Sequence, residues 1–370
     1  MKARQPLFVS SEIYRRTGYG SNHPLAIQRI GTVLDLCDAM HWFDDAPYTD
    51  SDVASAEELT RYHSPEYVAA LKEADRAGKV STELRRRHMI GTMENPYFPG
   101  LYERASTSVG GSIQSAKLAM EGRTVYHPSG GTHHAMADRA SGFCYFNDIV
   151  FAILTFLDSG VERVLYLDLD AHHGDGVQAA FETDERVLTA SVHEENRWPH
   201  TGAADDRGGG YARNFPVPAH FNDSELAFVM THAILPMAAR FRPEAVVVCC
   251  GADALAGDPL SSLDLSNIAM WRAVLHAVDL SAPAIVVGGG GYNPWTVARC
   301  WAGLWARLAG YEIPAYLPAD AQAILTRLEC DLIDEEDIDD AWTGTMADAP
   351  NEGPVRPQVK DTVRSVIAPA

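Results

Sequence analysis

Short apolar runs with little polar interruption recur along the chain: PLFVS (6–10), TVYH (124–127), RVLYLDLD (163–170), RVLTASVH (186–193), AVVVCCGAD (245–253) and AIVVGGGG (284–291). A strand with one wet face alternates apolar and polar residues, so near-continuous runs predict strands covered on both faces. Between them, apolar residues at helical spacing predict helices over 101–121, 146–159, 223–241, 266–279 and 294–309. In the third, Asp223 or Ser224 serves as the N-cap and Pro236 predicts a kink. Strands alternating with helices give a parallel, doubly wound α/β sheet. One domain is expected over 1–330, followed by an extension over 331–370. That extension opens with seven acidic residues between 331 and 340 and continues into a Pro-containing tail. It reads as a solvated or disordered arm, with homo-oligomer formation as the other use of such an arm.

In sheets of this kind ligands sit beyond the carboxyl ends of the strands. Four runs end in ionisable or glycine-rich sequence: YHPSGGTHH, LDLDAHHGDG, CCGADALAGD and VGGGGYNPW. They predict one site assembled from four strand ends. Asp168, Asp170 and His172 recur at period two and so share a face where a strand runs out. Three such groups need a counter-charge, and a zinc ion with three protein ligands and an open position supplies it. The remaining ligand comes from another strand end, where Asp253 and Asp258 are the candidates. His133 and His134, paired with carboxylates, suit proton transfer near neutral pH, and Tyr292 is a candidate hydroxyl donor to an oxyanion. The GGGG run lacks both the GK[ST] of a phosphate loop and the dinucleotide fingerprint.

The 370 residues are 46% hydrophobic, enough for a large core, and carry a net charge of -20. That charge argues against nucleic acid as a partner, the densest basic cluster being only LRRRHM at 84–89, and favours cationic substrates. Cysteines 37, 144, 249, 250, 300 and 330 form no CxxC pair, which predicts structural thiols in a reducing compartment. No apolar run approaches a membrane span and the N-terminus lacks a signal-peptide core, so the expectation is a cytoplasmic protein with no membrane partner.

PSGGTHHAMADRASGFCYFND (128–148), LDLDAHHGDGVQ (167–178), CGADALAGDPL (250–260) and GGGGYN (288–293) together resemble the histone deacetylase superfamily, including its acetoin-utilisation-type and polyamine-deacetylase members. The similarity runs from SNHPLAIQRI near residue 21, through YHSPEYVAAL at 62, to about residue 310. It implies the arginase/deacetylase fold, a single domain with a parallel sheet of about eight strands. It implies one zinc per chain on Asp170, His172 and Asp258, and tandem catalytic histidines His133 and His134 with Asp168 and Asp175 as their carboxylate partners. Tyr292 then polarises the acyl carbonyl, with His134 as the acid/base and His133 as its electrostatic partner. Phe143 and Trp198 match the aromatic walls of the substrate tunnel; Gly142, Glu94 and Leu265 match further substrate contacts, and Arg29 an arginine below the metal. K+ or Na+ is implied at Asp168, Asp170 and Ser191, and again around Phe181, Asp184 and Val187.

This chain departs from the pattern at Trp198, where a smaller Phe is common, at Glu94, where a rim Asp is usual, and at Thr132. The motif spellings SGFCYFND and YHSPEY favour an acetyl-lysine-type substrate, with acetylpolyamine or another small amide as the alternative. A two-manganese, arginase-like ureohydrolase would need a carboxylate where Gly174 stands, and a non-catalytic binder of acetylated ligands would not keep every ligand and the tyrosine.

Overall fold

The computed structural model describes residues 5–16, 18–44 and 48–368. Eight strands form one parallel sheet: β1 (Leu7–Ser10), β2 (Tyr48–Asp50), β3 (Thr124–His127), β4 (Val164–Asp168), β5 (Val187–Glu194), β6 (Ala212–Val217), β7 (Ala245–Cys249) and β8 (Ala284–Val287). Their order across the sheet is β2-β1-β3-β8-β7-β4-β5-β6. Successive side chains enter opposite layers, as strand geometry requires. On β4, Leu165 and Leu167 pack into one hydrophobic layer and Val164 and Tyr166 into the other, and β7 and β8 repeat the division. Each fully buried large apolar side chain contributes roughly 1.5–3 kcal/mol, so a one-residue slip that exchanged the two faces would be costly.

That register sets up the site. His127 pairs with Val287, Val287 with Cys249, and Cys249 with Asp168. The carboxyl ends of β3, β8, β7 and β4 therefore stand level and adjacent, and they are the four ends that carry the unusual sequences.

Helices occupy Leu101–Ala119, Asp148–Asp158, Asn267–Val278 and Pro294–Ala309, within a few residues of expectation. The expected helix over 223–241 is continuous but differs in two details. Its N-cap is Asn222, because Asp223 is drawn away to accept from Ser266 N and Oγ (2.8 and 2.6 Å) and from Asn351 N (2.8 Å). Where Pro236 predicts a kink, a π turn over Met230–Ile234 precedes the proline-bearing turn Leu235–Phe241, and the changed pitch accommodates the missing N–H.

The larger difference lies at the C-terminal end. The acidic run is largely exposed, but the chain beyond it is no solvated arm. Met346 is buried, and the helix Pro357–Ile367 lays Val359, Val363 and Val366 into the main core, against β6. Arg356 clamps this segment through Glu225, whose side chain is fully buried (Nη2–Oε2 2.6 Å, Nε–Oε1 2.7 Å). Burial pushes the Glu225 carboxyl up, but the hydrogen bonds from Arg356 outweigh it and hold the group below its usual value. Arg356→Ala leaves that carboxylate without its cation and is expected to cost about 1–3 kcal/mol, scaled down from a fully buried pair because Arg356 is a third exposed. A carboxyl depressed on folding stabilises above its unfolded pKa, about 4.3, and loses that contribution as the pH falls. The variant and the parent should therefore converge in urea midpoint toward acid pH; an equal gap at pH 7 and pH 3.5 would contradict the ion-pair account.

Candidate active site

β4 ends at Asp168, the hub of the site. Asp168 Oδ2 accepts from the Tyr166 hydroxyl (2.6 Å) and lies 2.8 Å from His133 Nδ1, while Oδ1 accepts from Asp170 N (3.1 Å). Asp170 Oδ2 accepts from Gly290 N (2.6 Å) and its Oδ1 from His172 N (2.9 Å). His172 Nδ1 faces two carboxylates, Asp253 Oδ2 at 2.9 Å and Asp170 Oδ1 at 3.2 Å. Asp258 accepts from Tyr292 N at Oδ2 (2.7 Å) and from Leu260 N at Oδ1 (2.9 Å). All of these side chains are buried.

Among the described residues, ligand atoms of Asp170, His172 and Asp253 lie within 4.8 Å of one another, as do those of His133, Asp170 and Cys249. The residue pattern left Asp253 and Asp258 open as the remaining ligand, and the resemblance implied Asp258. The structure brings Asp253 into the donor cluster, with Asp258 close enough to feel its charge. Burial, reinforced by the Asp170 charge, pushes Asp253 up to about 6; burial, reinforced by Asp253, pushes Asp258 up to about 7. Buried carboxylates that raise one another are short of positive charge, and an oxygen-and-imidazole donor set suits a divalent cation such as zinc.

The two tandem histidines differ in proton affinity. Burial pushes both down. At His133 the adjacent Asp168 and Asp170 outweigh burial and lift it to about 9. At His134 the positive charge of His133 adds to burial, the hydrogen bond to Asp175 does not compensate, and the group falls to about 4. His134 is therefore neutral at pH 7. Its Nδ1 lies 2.7 Å from Asp175 Oδ1, so the N–H belongs there and Nε2 keeps its lone pair. The rings are 3.8 Å apart.

Most of the remaining predicted residues line two spaces that share His134, Gly142, Phe143 and Tyr292. Tyr292 and His134 border both an inner chamber of about 110 Å³ and an outer mouth of about 620 Å³. Arg29 lines the chamber, donating to Gly289 O (2.8 Å) and lying over the Trp301 ring at 5.2 Å. Phe143 and Trp198 flank the mouth, Phe143 edge-on to Tyr292 (5.9 Å) and Trp198 edge-on to His134 (4.6 Å). Glu94 lies at the mouth, but Oε1 is committed to Gly142 N (2.5 Å), beside the contact of Asn95 Oδ1 with Phe143 N (2.9 Å). This pair of acceptors holds Phe143 at φ +65°, a conformation unusual for a bulky side chain. Thr132 acquires a role: its hydroxyl donates to Phe146 O (2.5 Å) and contacts Asp148, tying the histidine loop to the helix that follows.

Leu265 departs from expectation. Its backbone bridges to the Leu255 segment, which turns its side chain into the core at 3% exposure. Leu260 lines the mouth instead. Of the residues implied for monovalent cations, Asp168 and Ser191 are cross-strand neighbours on β4 and β5, and Phe181, Asp184 and Val187 share one turn in which the Asp184 carboxylate is engaged by Arg186. At Gly174 a Cβ would come within 2.2 Å of Asp168 Oδ2, so the extra carboxylate of a ureohydrolase has no room.

Sequence reading missed Tyr166, Asn95 and Leu260. Tyr166 was within reach, two residues before Asp168 on the same face of the strand. Asn95 and Leu260 lie in irregular loops where periodicity carries no signal.

The histone deacetylase domain family matches residues 23–308. The acetoin utilization protein AcuC of Bacillus subtilis (strain 168) is 36% identical over 330 residues, 84% of this chain and 85% of that protein. Histone deacetylase 1 of Homo sapiens is 37% identical over 309 residues, 81% of this chain but 64% of that protein, so the chain spans just under two thirds of that relative. The crystal structure of an HDAC homolog from Aquifex aeolicus superposes with a TM-score of 0.93 at 33% identity, covering 99% of this chain and 100% of that one. An HDAC homolog complexed with SAHA gives the same figures.

Proposed function

The chain belongs to the histone deacetylase family of deacetylase hydrolases, and from that premise we propose that it removes acetyl groups from acetyl-lysine-type amides at a zinc centre. The observation that carries this reading is the pair of adjacent histidines, 3.8 Å apart and each hydrogen-bonded to its own carboxylate, lying beside the aspartate cluster in a space that Tyr292 also lines.

Asp170 and His172, with Asp258 as the family motif implies, would hold zinc, which would supply Lewis acidity toward an amide oxygen and lower the pKa of water toward about 7. The chain's own groups do the rest. His134 Nε2 takes a proton from water and returns it to the departing amine, with Asp175 fixing the tautomer. His133, hydrogen-bonded to Asp168, would place positive charge beside the developing negative one when protonated. Tyr292 donates its hydroxyl to the oxyanion. Asp253 orients His172 through Nδ1 and completes the anionic shell. Phe143 and Trp198 confine the methylene chain and exclude water. K+ or Na+ at the two implied positions belongs to the same reading, as does a cytoplasmic location, which six free cysteines support. No helix among the described residues is long and apolar enough to cross a membrane.

The assignment of Asp258 over Asp253 as ligand has a direct test. Asp258→Ala should lower bound zinc well below one per chain, whereas Asp253→Asn should retain zinc more fully and chiefly lose activity. Metal content by atomic emission on both variants decides; full zinc in Asp258→Ala with loss in Asp253→Asn would exchange the two roles. Substrate class is tested by acetate release from an acetyl-lysine peptide and from N-acetylputrescine. The peptide is the expected substrate, and turnover of the polyamine alone would overturn that half of the proposal.

A further inference from the structure

A second concavity lies at the opposite end of the sheet from the catalytic centre. It is a groove of about 650 Å³ at the amino-terminal ends of β5 and β6, bordered by the helix Leu235–Phe241 and the last turn of the helix Pro357–Ile367. Its volume falls in the range of small-molecule sites. Leu188, Met237, Phe241 and Val366 give it apolar walls, and Arg207, Arg213 and Arg240 give it three cations against one carboxylate, Glu185. In a chain with 50 acidic and 30 basic residues, such an excess of positive charge runs against the composition.

Among the described residues none of the three arginines forms an ion pair. Arg207 donates to Val366 O (2.6 Å) and Ser365 O (2.9 Å). Arg213 donates to Gly210 O (2.9 Å) and Ala212 O (2.6 Å) through one nitrogen, and its other donors meet no acceptor among the described residues. Burial lowers the Arg213 pKa and the charge of Arg207 lowers it further, both of which an anion beside it would offset.

We propose that this groove binds a small monocarboxylate with an apolar body, its carboxylate on Arg213 and Arg240 and its chain along Met237, Phe241 and Leu188. The guanidinium fork matches a carboxylate in two hydrogen bonds, and the apolar walls favour an alkyl chain over a bare inorganic anion.

The test is calorimetric titration of the full chain with octanoate, acetate and inorganic phosphate. One saturable octanoate site is expected, about tenfold or more tighter than acetate because methylenes are buried. Arg213→Ala and Arg240→Ala should each weaken it about tenfold, and Met237→Glu should abolish it, with basal deacetylase activity unchanged in all three. Absence of saturable octanoate binding, binding that survives these substitutions, or phosphate binding more tightly than octanoate would overturn the proposal. None of these outcomes bears on the catalytic reading.

Discussion

Tyr292→Phe is expected to lose about two to three orders of magnitude in kcat while keeping its zinc content and melting temperature. The magnitude is that of removing one donor from an oxyanion site, about 3–4 kcal/mol. The selectivity follows from the surroundings. The backbone N–H of Tyr292, which holds Asp258, is untouched by the change, so the aspartate keeps its position. The Tyr292 hydroxyl makes no hydrogen bond to another described residue and borders both the chamber and the mouth, so its removal orphans no buried partner. Burial, with the neighbouring aspartates adding to it, raises the phenol well above its usual pKa, which keeps it a protonated donor across the working range. Steady-state kinetics beside metal analysis checks this; near-full turnover would remove Tyr292 from the mechanism.

Gly142→Ala is expected to lower kcat/KM about a hundredfold with zinc retained. A Cβ at 142 would lie 2.4 Å from Trp198 Cη2 and 2.5 Å from His134 Cδ2, in a backbone already at φ +54°. Either the His134 ring or the Trp198 ring must move by about an ångström, a displacement that can cost 10²-fold in a positioned reaction. Trp198→Ala in the same background removes the nearer obstacle and should recover part of the loss. Unchanged kcat/KM in the single variant would mean that the aromatic gap does not confine the reacting chain.

Much of this architecture was legible because two simple periods carry it. Continuous apolar runs marked the central strands, and period-two spacing placed Asp168, Asp170 and His172 together. Two edge or near-edge strands escaped notice for physical reasons. Tyr48–Asp50 is only three residues long, and Ala212–Val217 contains Pro216, which an edge strand tolerates but which reads as a break. In the C-terminal segment, Val359, Val363 and Val366 do follow helical spacing, but the preceding acidic run dominated the composition and suggested a free arm. The Asp253/Asp258 ambiguity has another origin. Both residues leave the same strand end, and only the three-dimensional path shows Asp253 reaching His172 Nδ1 while Asp258 anchors the Tyr292 amide. The opposed histidines are similarly invisible in HH, since their difference comes from which carboxylates each one meets.

On the proposed function, acetyl-amide hydrolysis depends on zinc held by this strand-end cluster. The most direct measurement is acetate release from an acetyl-lysine peptide as zinc is titrated into chelator-stripped protein. Turnover should be absent without metal and rise linearly to a break at one zinc per chain. Turnover that persists in the stripped protein, or fails to appear after one equivalent is bound, would contradict it.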